Sequence, residues 1–212
     1  LKPITYKKKI YSNPFFIKVI TVISPLILYF LNTKLIKITG KIPSKRPYLI
    51  AAHHEEIADQ YIMEKVLPRN LLWIADTTPL GKCLADSHII KWIMIRIGAI
   101  PIDKRNSKRN INLFKHLLYL LEKQQSIVFF PEAYIKSERK NKKHGKFKDG
   151  IIRLALEYQK KHNKTINIYP IGISYKKQRK IKLVHINIGK PIVITNINQK
   201  NKLFNEIKRL SK

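Results

Sequence analysis

His53-His54-Glu55-Glu56-Ile57-Ala58-Asp59 is the segment whose residue types and spacing could do chemistry. His54 and Asp59 stand in the pattern H-x-x-x-x-D. A histidine that donates one ring N–H to a carboxylate is held in a single tautomer, and its other nitrogen becomes a better proton acceptor. Five residues of turning backbone can bring two such side chains together. The pair is a general base with its orienter but without a nucleophile of its own, so it would activate a hydroxyl supplied by a substrate. The rate of such a reaction falls in acid, as the imidazole protonates. Spacing alone is a weak signal. Seven His and five Asp in 212 residues also produce His144 and Asp149 at the same interval, in a lysine-rich stretch with no strand before it. Position favours His54, which directly follows an apolar run. Metal binding is the rival reading. Ala58 stands where H-E-x-x-H needs its second His, and adjacent side chains on extended backbone face opposite ways, so no metal is expected.

Three further stretches carry chemistry-bearing residues. In Gly98-Ala-Ile-Pro-Ile-Asp103-Lys104-Arg105 a glycine leads into a short strand and cations follow it. Lys as a point charge and Arg as a planar fork suit a phosphate; the plain alternative is two more surface cations. In Phe130-Pro131-Glu132-Ala133-Tyr134 a proline ends another apolar run and aims Glu132 at the same crevice. That carboxylate could accept from a polyol or a neighbouring cation, or lie in a solvated turn. In Tyr169-Pro170-Ile171-Gly172-Ile173 a proline interrupts an apolar strand, which favours an edge, a bulge or a first position.

The elements that would position these residues can be read from the runs around them. Residues 48–52, 71–75, 99–102, 126–130 and 167–171 are short and continuously apolar, as strands buried on both faces are. Between them, Leu113, Leu117, Leu120 and Leu121 form a helical stripe over 110–124, and Ile151, Leu154, Ala155 and Tyr158 form another over 150–161. This alternation predicts βαβ units: an α/β fold in a single domain, with a mostly parallel, mixed sheet flanked by helices. Residues 171–175 and 181–188 flank Lys-Lys-Gln-Arg-Lys and read as a hairpin that places an antiparallel pair at one edge.

Before the sheet, Lys7, Lys8 and Lys9 precede an apolar run from Phe15 to Leu31, broken by Lys18 and Pro25. Seventeen helical residues reach about 25 Å, short of the ~30 Å hydrocarbon core, and Pro25 would kink them. An amphiphilic helix or helical hairpin dipping into one leaflet fits better than a span. The stretch after the run lacks the small-x-small pattern of signal-peptide cleavage. Residues 1–40 are therefore read as a membrane-associating segment and 41–212 as the α/β domain.

Composition bounds the partners. Lys+Arg number 43 against 13 Asp+Glu, a formal charge of +30, with 44% hydrophobic residues. The apolar fraction excludes a disordered polycation. Cys83 is the sole cysteine, which excludes an intramolecular disulfide and a multi-cysteine zinc site. Of the cations 34 are Lys, and the surface is either simply solvated or meets an anionic partner. Residues 136–148 hold seven Lys/Arg among 13, read as a charged loop or as a lip meeting headgroups or donor. The aromatics lie mainly in apolar runs rather than among the cations, which argues against a nucleic-acid groove.

Taken in order, the four stretches resemble the blocks of the lysophospholipid/glycerolipid acyltransferase family, closest to the bacterial type of 1-acyl-sn-glycerol-3-phosphate acyltransferase. The family's N-H-x-x-x-x-D is matched at His54 and Asp59, with His53 in the Asn place. G-x-I-P-x-D-R is matched at Gly98, Ile100, Pro101 and Asp103, with Lys104 at the Arg and Arg105 one residue on. F-P-E-G-T-R-S is matched at Phe130, Pro131 and Glu132, while Ala133, Tyr134, Ile135 and Lys136 replace the rest. Pro170 matches the fourth block. The resemblance covers about residues 45–195. It implies acyl transfer from acyl-CoA or acyl-acyl-carrier protein to a lysophospholipid hydroxyl, with no cofactor beyond that co-substrate. By the same resemblance His54 is the base and Asp59 its orienter. Lys104 and Arg105 hold the acceptor phosphate, Gly98 belongs to the acceptor site, Glu132 positions the glycerol portion, and Lys136 or Arg139 supplies a nearby cation. Backbone amides around Glu55–Ile57 would steady the oxyanion. The expected setting is the cytoplasmic face of the inner or plasma membrane, against an anionic surface. Another lysolipid or polyol acceptor, or an inactive lipid-binding relative, is the alternative.

Overall fold

The computed structural model describes residues 13–68, 71–76, 87–102, 107–132 and 147–212. Helix α1 (Pro14–Phe30) leads into strand β1 (Thr33–Thr39). Strand β2 (Leu49–Ala52), helix α2 (Asp59–Val66), strand β3 (Leu72–Asp76), helix α3 (His88–Arg96) and strand β4 (Ala99–Ile102) follow. Then come helix α4 (Ser107–Glu122), strand β5 (Ile127–Phe129) and helix α5 (Gly150–His162). Strands β6 (Asn167–Gln178), β7 (Ile181–Ile188) and β8 (Ile192–Val193) and helix α6 (Lys200–Leu210) complete the described chain.

The strands form one mixed sheet in the order β1-β7-β6-β2-β5-β3-β4, with β8 also pairing β6. All neighbours run parallel except β6 with β7 and β6 with β8. The mostly parallel sheet expected from the apolar runs is therefore present. One detail differs. The β6–β7 hairpin does not form the edge, because β1 pairs along the outer side of β7, Thr33 opposite Lys182 through Thr39 opposite Asn187. The Thr-Lys-Leu-Ile-Lys-Ile-Thr run of β1 gave no continuous apolar signal, and its exposed Lys34 and Lys37 suit an edge.

The core divides by the pleat. Leu49 and Ala51 of β2, with Leu72, Ile127 and Ile168, face Leu117 and Leu121 of α4, Ile151 and Leu154 of α5 and Leu203 and Ile207 of α6. Ile50 and Ala52, with Trp73, Val128 and Tyr169, face Leu28 of α1 and Ile62 and Met63 of α2. Adjacent residues thus serve opposite layers, the period of two that a strand imposes.

Within the described residues the N-terminal apolar run is one helix rather than a helical hairpin. Asn13 caps it, its Oδ1 accepting from Phe15 N at 2.9 Å, and Pro14 occupies the first turn where a missing N–H is harmless. Pro25 lies inside the helix and leaves the Thr21 carbonyl without its backbone donor. The Ser24 hydroxyl donates to that carbonyl at 3.4 Å. Asn32, at φ 50°, ends the turn into β1.

Pro170 sits in the interior of β6, not at an edge. Its carbonyl accepts from Gly189 N at 2.9 Å, so its nitrogen faces the same side. There β8 pairs residues 167–168 and β7 ends with Ile188 opposite Ile171, so the missing donor falls at the handover between two partners. Gly172, two residues on, lets α6 end against β6: a Cβ there would lie 2.1 Å from the Leu210 carbonyl carbon.

Candidate active site

Strands β2, β5, β3 and β4 are parallel and end on the same side, where open α/β sheets place their ligands. The backbone N–H of His53 donates to Ile171 O at 2.8 Å and extends the β2–β6 ladder by one residue. By the alternation of β2, His53 turns toward the α4–α6 layer and His54 toward the α1–α2 layer. His53 is wholly buried, whereas the His54 side chain is 20% exposed.

His54 and Asp59 meet: Nδ1 donates to Asp59 Oδ2 at 2.9 Å. Asp59 opens α2 and is fully buried. Its Oδ2 also accepts from the backbone N–H groups of Glu55 (2.7 Å) and Glu56 (2.9 Å), and its Oδ1 accepts from Tyr175 Oη at 2.5 Å. Four donors on one carboxylate fix it in place and keep its charge satisfied out of water. Burial, then the nearby Asp59 charge, pushes the Tyr175 hydroxyl far above its ordinary value, so it stays a donor at any working pH. The amides of Glu55 and Glu56, expected at the oxyanion, are instead turned onto Asp59. The tight turn that orients the carboxylate consumes them.

The Phe130 ring lies on the face of His54, with centroids 4.2 Å apart and planes at 26°. Behind it stands Trp73, at 6.1 Å and 27°. A π-face over an imidazole stabilises the cation that forms when the base takes a proton.

Glu132 is buried, 1% exposed, so the solvated-turn reading fails. Its Oε1 lies 2.5 Å from His53 Nδ1, and Glu55 Oε2 lies 3.4 Å from His53 Nε2. Burial alone would lower the His53 pKa, but the hydrogen bond to Glu132 and then the nearby Glu55 carboxylate outweigh it and hold the value above the ordinary 6.5. Gly98, at φ 84°, ends α3 and turns the chain into β4, a conformation that costs a side chain but not glycine. Its carbonyl accepts from Trp73 N at 2.9 Å. Lys104, Arg105, Lys136 and Arg139 lie outside the described residues, as does His144.

A family model described as acyltransferase matches residues 35–174. The chain belongs to the acyltransferase family. Among curated proteins it is 25% identical over 114 residues to a chloroplastic 1-acyl-sn-glycerol-3-phosphate acyltransferase of Arabidopsis thaliana, covering 54% of this chain and 30% of that protein. A chloroplastic 1-acyl-sn-glycerol-3-phosphate acyltransferase of Brassica napus is 24% identical over the same shares. The chain thus spans about a third of the length of these relatives. The crystal structure of the 1-acyl-sn-glycerophosphate acyltransferase PlsC from Thermotoga maritima superposes with a TM-score of 0.65 at 15% identity, covering 91% of this chain and 77% of that one. That likeness concerns the fold.

In this member of the family two of the four blocks follow the carboxyl ends of parallel strands, H-x-x-x-x-D after β2 and Phe130–Glu132 after β5, while Ile100–Pro101 lie within β4. Strand β4 ends three places from β2, about 14 Å at the usual spacing between strands. Tyr175 went unread in the sequence. It shares a face with Ile171 and Ile173 by the strand period, but its meeting with Asp59 depends on the Ala52–Ile171 register, which no local pattern reveals.

Proposed function

We propose that the protein transfers an acyl group from acyl-CoA or acyl-acyl-carrier protein to the sn-2 hydroxyl of 1-acyl-sn-glycerol 3-phosphate, giving phosphatidic acid. The observation that carries this reading is the His54–Asp59 bond at the end of β2 in a chain of this family. A carboxylate only accepts, so the proton sits on His54 Nδ1 and the lone pair on Nε2. Nε2 takes the hydroxyl proton as the oxygen attacks the thioester carbon. The tetrahedral intermediate then expels the thiolate, which receives that proton from His54, leaving the new ester and a free thiol. Asp59 and the Phe130 face stabilise the imidazolium in between. Lys104 and Arg105 bind the acceptor phosphate, Glu132 positions the glycerol portion, Gly98 shapes the approach, and Lys136 adds a cation. The acceptor named for the chloroplastic relatives supports this choice. The replaced third block, Ala133–Lys136, favours another lysolipid or polyol as the second reading.

Within residues 1–40, expected as a membrane-associating segment ahead of a domain at 41–212, we assign membrane contact to α1, because β1 is a strand of the domain's sheet. Among the described residues no helix is long and apolar enough to cross a membrane. The outward face of α1 nonetheless carries Phe15, Val22, Leu26, Tyr29 and Phe30, with exposures of 66%, 69%, 56%, 75% and 73%. Such a face on a 17-residue helix suits insertion into one leaflet, at the cytoplasmic surface of the inner or plasma membrane. The test is product formation by the purified protein from lysophosphatidic acid, other lysolipids and glycerol 3-phosphate with each donor. His54→Ala should lose at least ~100-fold in turnover. Retention of near-wild-type turnover would refute the mechanism, and no turnover with any pair would leave a lipid-binding relative.

A further inference from the structure

Residues 176–182, Lys-Lys-Gln-Arg-Lys-Ile-Lys, make the tip of the β6–β7 hairpin and hold five cations and no carboxylate. Lys176, Lys177, Arg179 and Lys180 are exposed, and among the described residues no carboxylate pairs with them. The tip stands at the end of the sheet where His54 and Asp59 lie, because β6 runs on from Ile171, the partner of Ala52, to Gln178. Its base is tied to that corner twice. Tyr175 Oη donates to Asp59 Oδ1, and Lys182 Nζ lies 3.1 Å from Glu56 Oε2. The end of α1 reaches the same corner: Lys182 N donates to Asn32 O at 2.7 Å, and Thr33 is paired with Lys182. Just before that joint stand Tyr29 and Phe30, the most exposed aromatic rings of α1. By the strand period Lys177 shares the face of Tyr175, and Lys182 that of Val184 and Ile186, which is the face α1 covers.

We propose that the β6–β7 tip is a docking site for the headgroups of an anionic bilayer, held there while the neighbouring aromatic end of α1 enters the leaflet. The charge is complementary: a cluster of lysines and an arginine without acidic neighbours is drawn to the negative potential of such a surface and acts within about one Debye length of it. The setting favours lipid over a soluble acidic protein. Exposed aromatics beside exposed lysines are the residue types that anchor a chain at headgroup level, whereas an acidic protein needs only the cations. The second contact also has a geometric role. A helix lying in an interface leaves the body it carries able to roll about the helix axis. A contact away from that axis stops the roll, and this one is fastened to the turn that holds His54 and Asp59.

This inference rests on the membrane-bound acyl-transfer reading, and the experiment separates the two. Co-sedimentation is measured with vesicles of phosphatidylcholine alone and with about 30% phosphatidylserine, at roughly 0.05 and 0.5 M NaCl. The hairpin variant combines Lys176→Gln, Lys177→Gln, Arg179→Gln and Lys180→Gln. A comparator removes the same charge at exposed Lys123, Lys160, Lys164 and Lys202, at the ends of α4, α5 and α6 in the layer opposite α1. The hairpin variant should bind the anionic vesicles roughly 100-fold more weakly than wild type at low salt, and within about threefold of it at high salt. The comparator should stay within about threefold of wild type, since its charges lie far from the surface. On phosphatidylcholine alone all three should bind alike. Lys176→Arg, Lys177→Arg and Lys180→Arg together should bind as wild type does. Should the fourfold hairpin variant not fold, Lys177→Gln with Lys180→Gln decides it, at roughly tenfold. Equal binding of wild type and hairpin variant to anionic vesicles overturns the proposal, as does an equal loss in the comparator. Retained vesicle binding with a raised KM for acyl-acyl-carrier protein also overturns it and makes the acidic donor the occupant. Wild type that binds neither vesicle removes the membrane reading and this inference together. A hairpin variant that loses vesicle binding, in a protein that forms no product with any donor and acceptor, leaves the docking site standing and defeats acyl transfer.

Discussion

Replacing Tyr175 by Phe deletes one oxygen and leaves the ring in place. The oxygen lost is, among the described residues, the donor to Asp59 Oδ1, at 2.5 Å, on a carboxylate with no solvent exposure. A hydrogen bond to a charged group contributes about 1.5–3 kcal/mol. At roughly 2–4 °C per kcal/mol for a chain of this size, the melting temperature should fall by about 3–12 °C. The rate should suffer less than the full bond. Oδ2 still accepts from His54, Glu55 N and Glu56 N, so the carboxylate stays near its place and His54 keeps its tautomer. We expect kcat to fall about tenfold, equivalent to ~1.4 kcal/mol. KM should change little, because the hydroxyl points at Asp59 rather than at a substrate. Since burial keeps Tyr175 protonated, the ratio of wild type to variant should not vary with pH. Asp59→Asn is the comparator, with a loss near 10⁴-fold expected when an orienting carboxylate is removed and the tautomer is no longer held. Steady-state turnover in lysophosphatidic acid micelles and scanning calorimetry make the test. A Tyr175→Phe protein with wild-type kcat and melting temperature would show that the four-donor arrangement around Asp59 is dispensable.

Two other perturbations probe separate parts of the molecule. Burial raises the Glu64 carboxyl above its ordinary 4.5, against an opposing hydrogen bond with Trp73; an acid shifted that way costs stability as pH climbs from 4.5 through the raised value. Glu64→Gln should therefore melt with wild type near pH 4 and above it at about pH 8, and equal melting at the higher pH would refute the burial argument. On α1, Leu26→Glu with Phe30→Glu removes two apolar side chains whose burial is worth about 1.5–3 kcal/mol each, so co-sedimentation with anionic phospholipid vesicles should weaken by at least ~100-fold. Unaltered sedimentation would mean that this face is not what meets lipid.

What could be read from the amino acids follows from how each element is buried. Strands β2, β4 and β5 are covered on both faces, so nearly every residue is apolar and the runs stand out. Strand β1 is covered on one side only, and its Lys-Ile alternation is hard to separate from a charged connector. Helix α2 went unread because Asp59 and Gln60 at its start look like the continuation of a polar turn. The pairing of His54 with Asp59 was legible because it is local. Tyr175 lies 116 residues from Asp59, and its meeting with that carboxylate is decided by register across β2 and β6. Glu132 shows the same limit: its place at a strand end was readable, its 79-residue reach to His53 was not.

Only Leu31 and Asn32 separate α1 from β1, and β1 is laced to β7, which is laced in turn to the strand bearing Tyr175. A two-residue joint has no slack, so α1 behaves as a bracket and not as a leash. Whatever α1 rests against becomes the reference plane from which the height of the imidazole is measured.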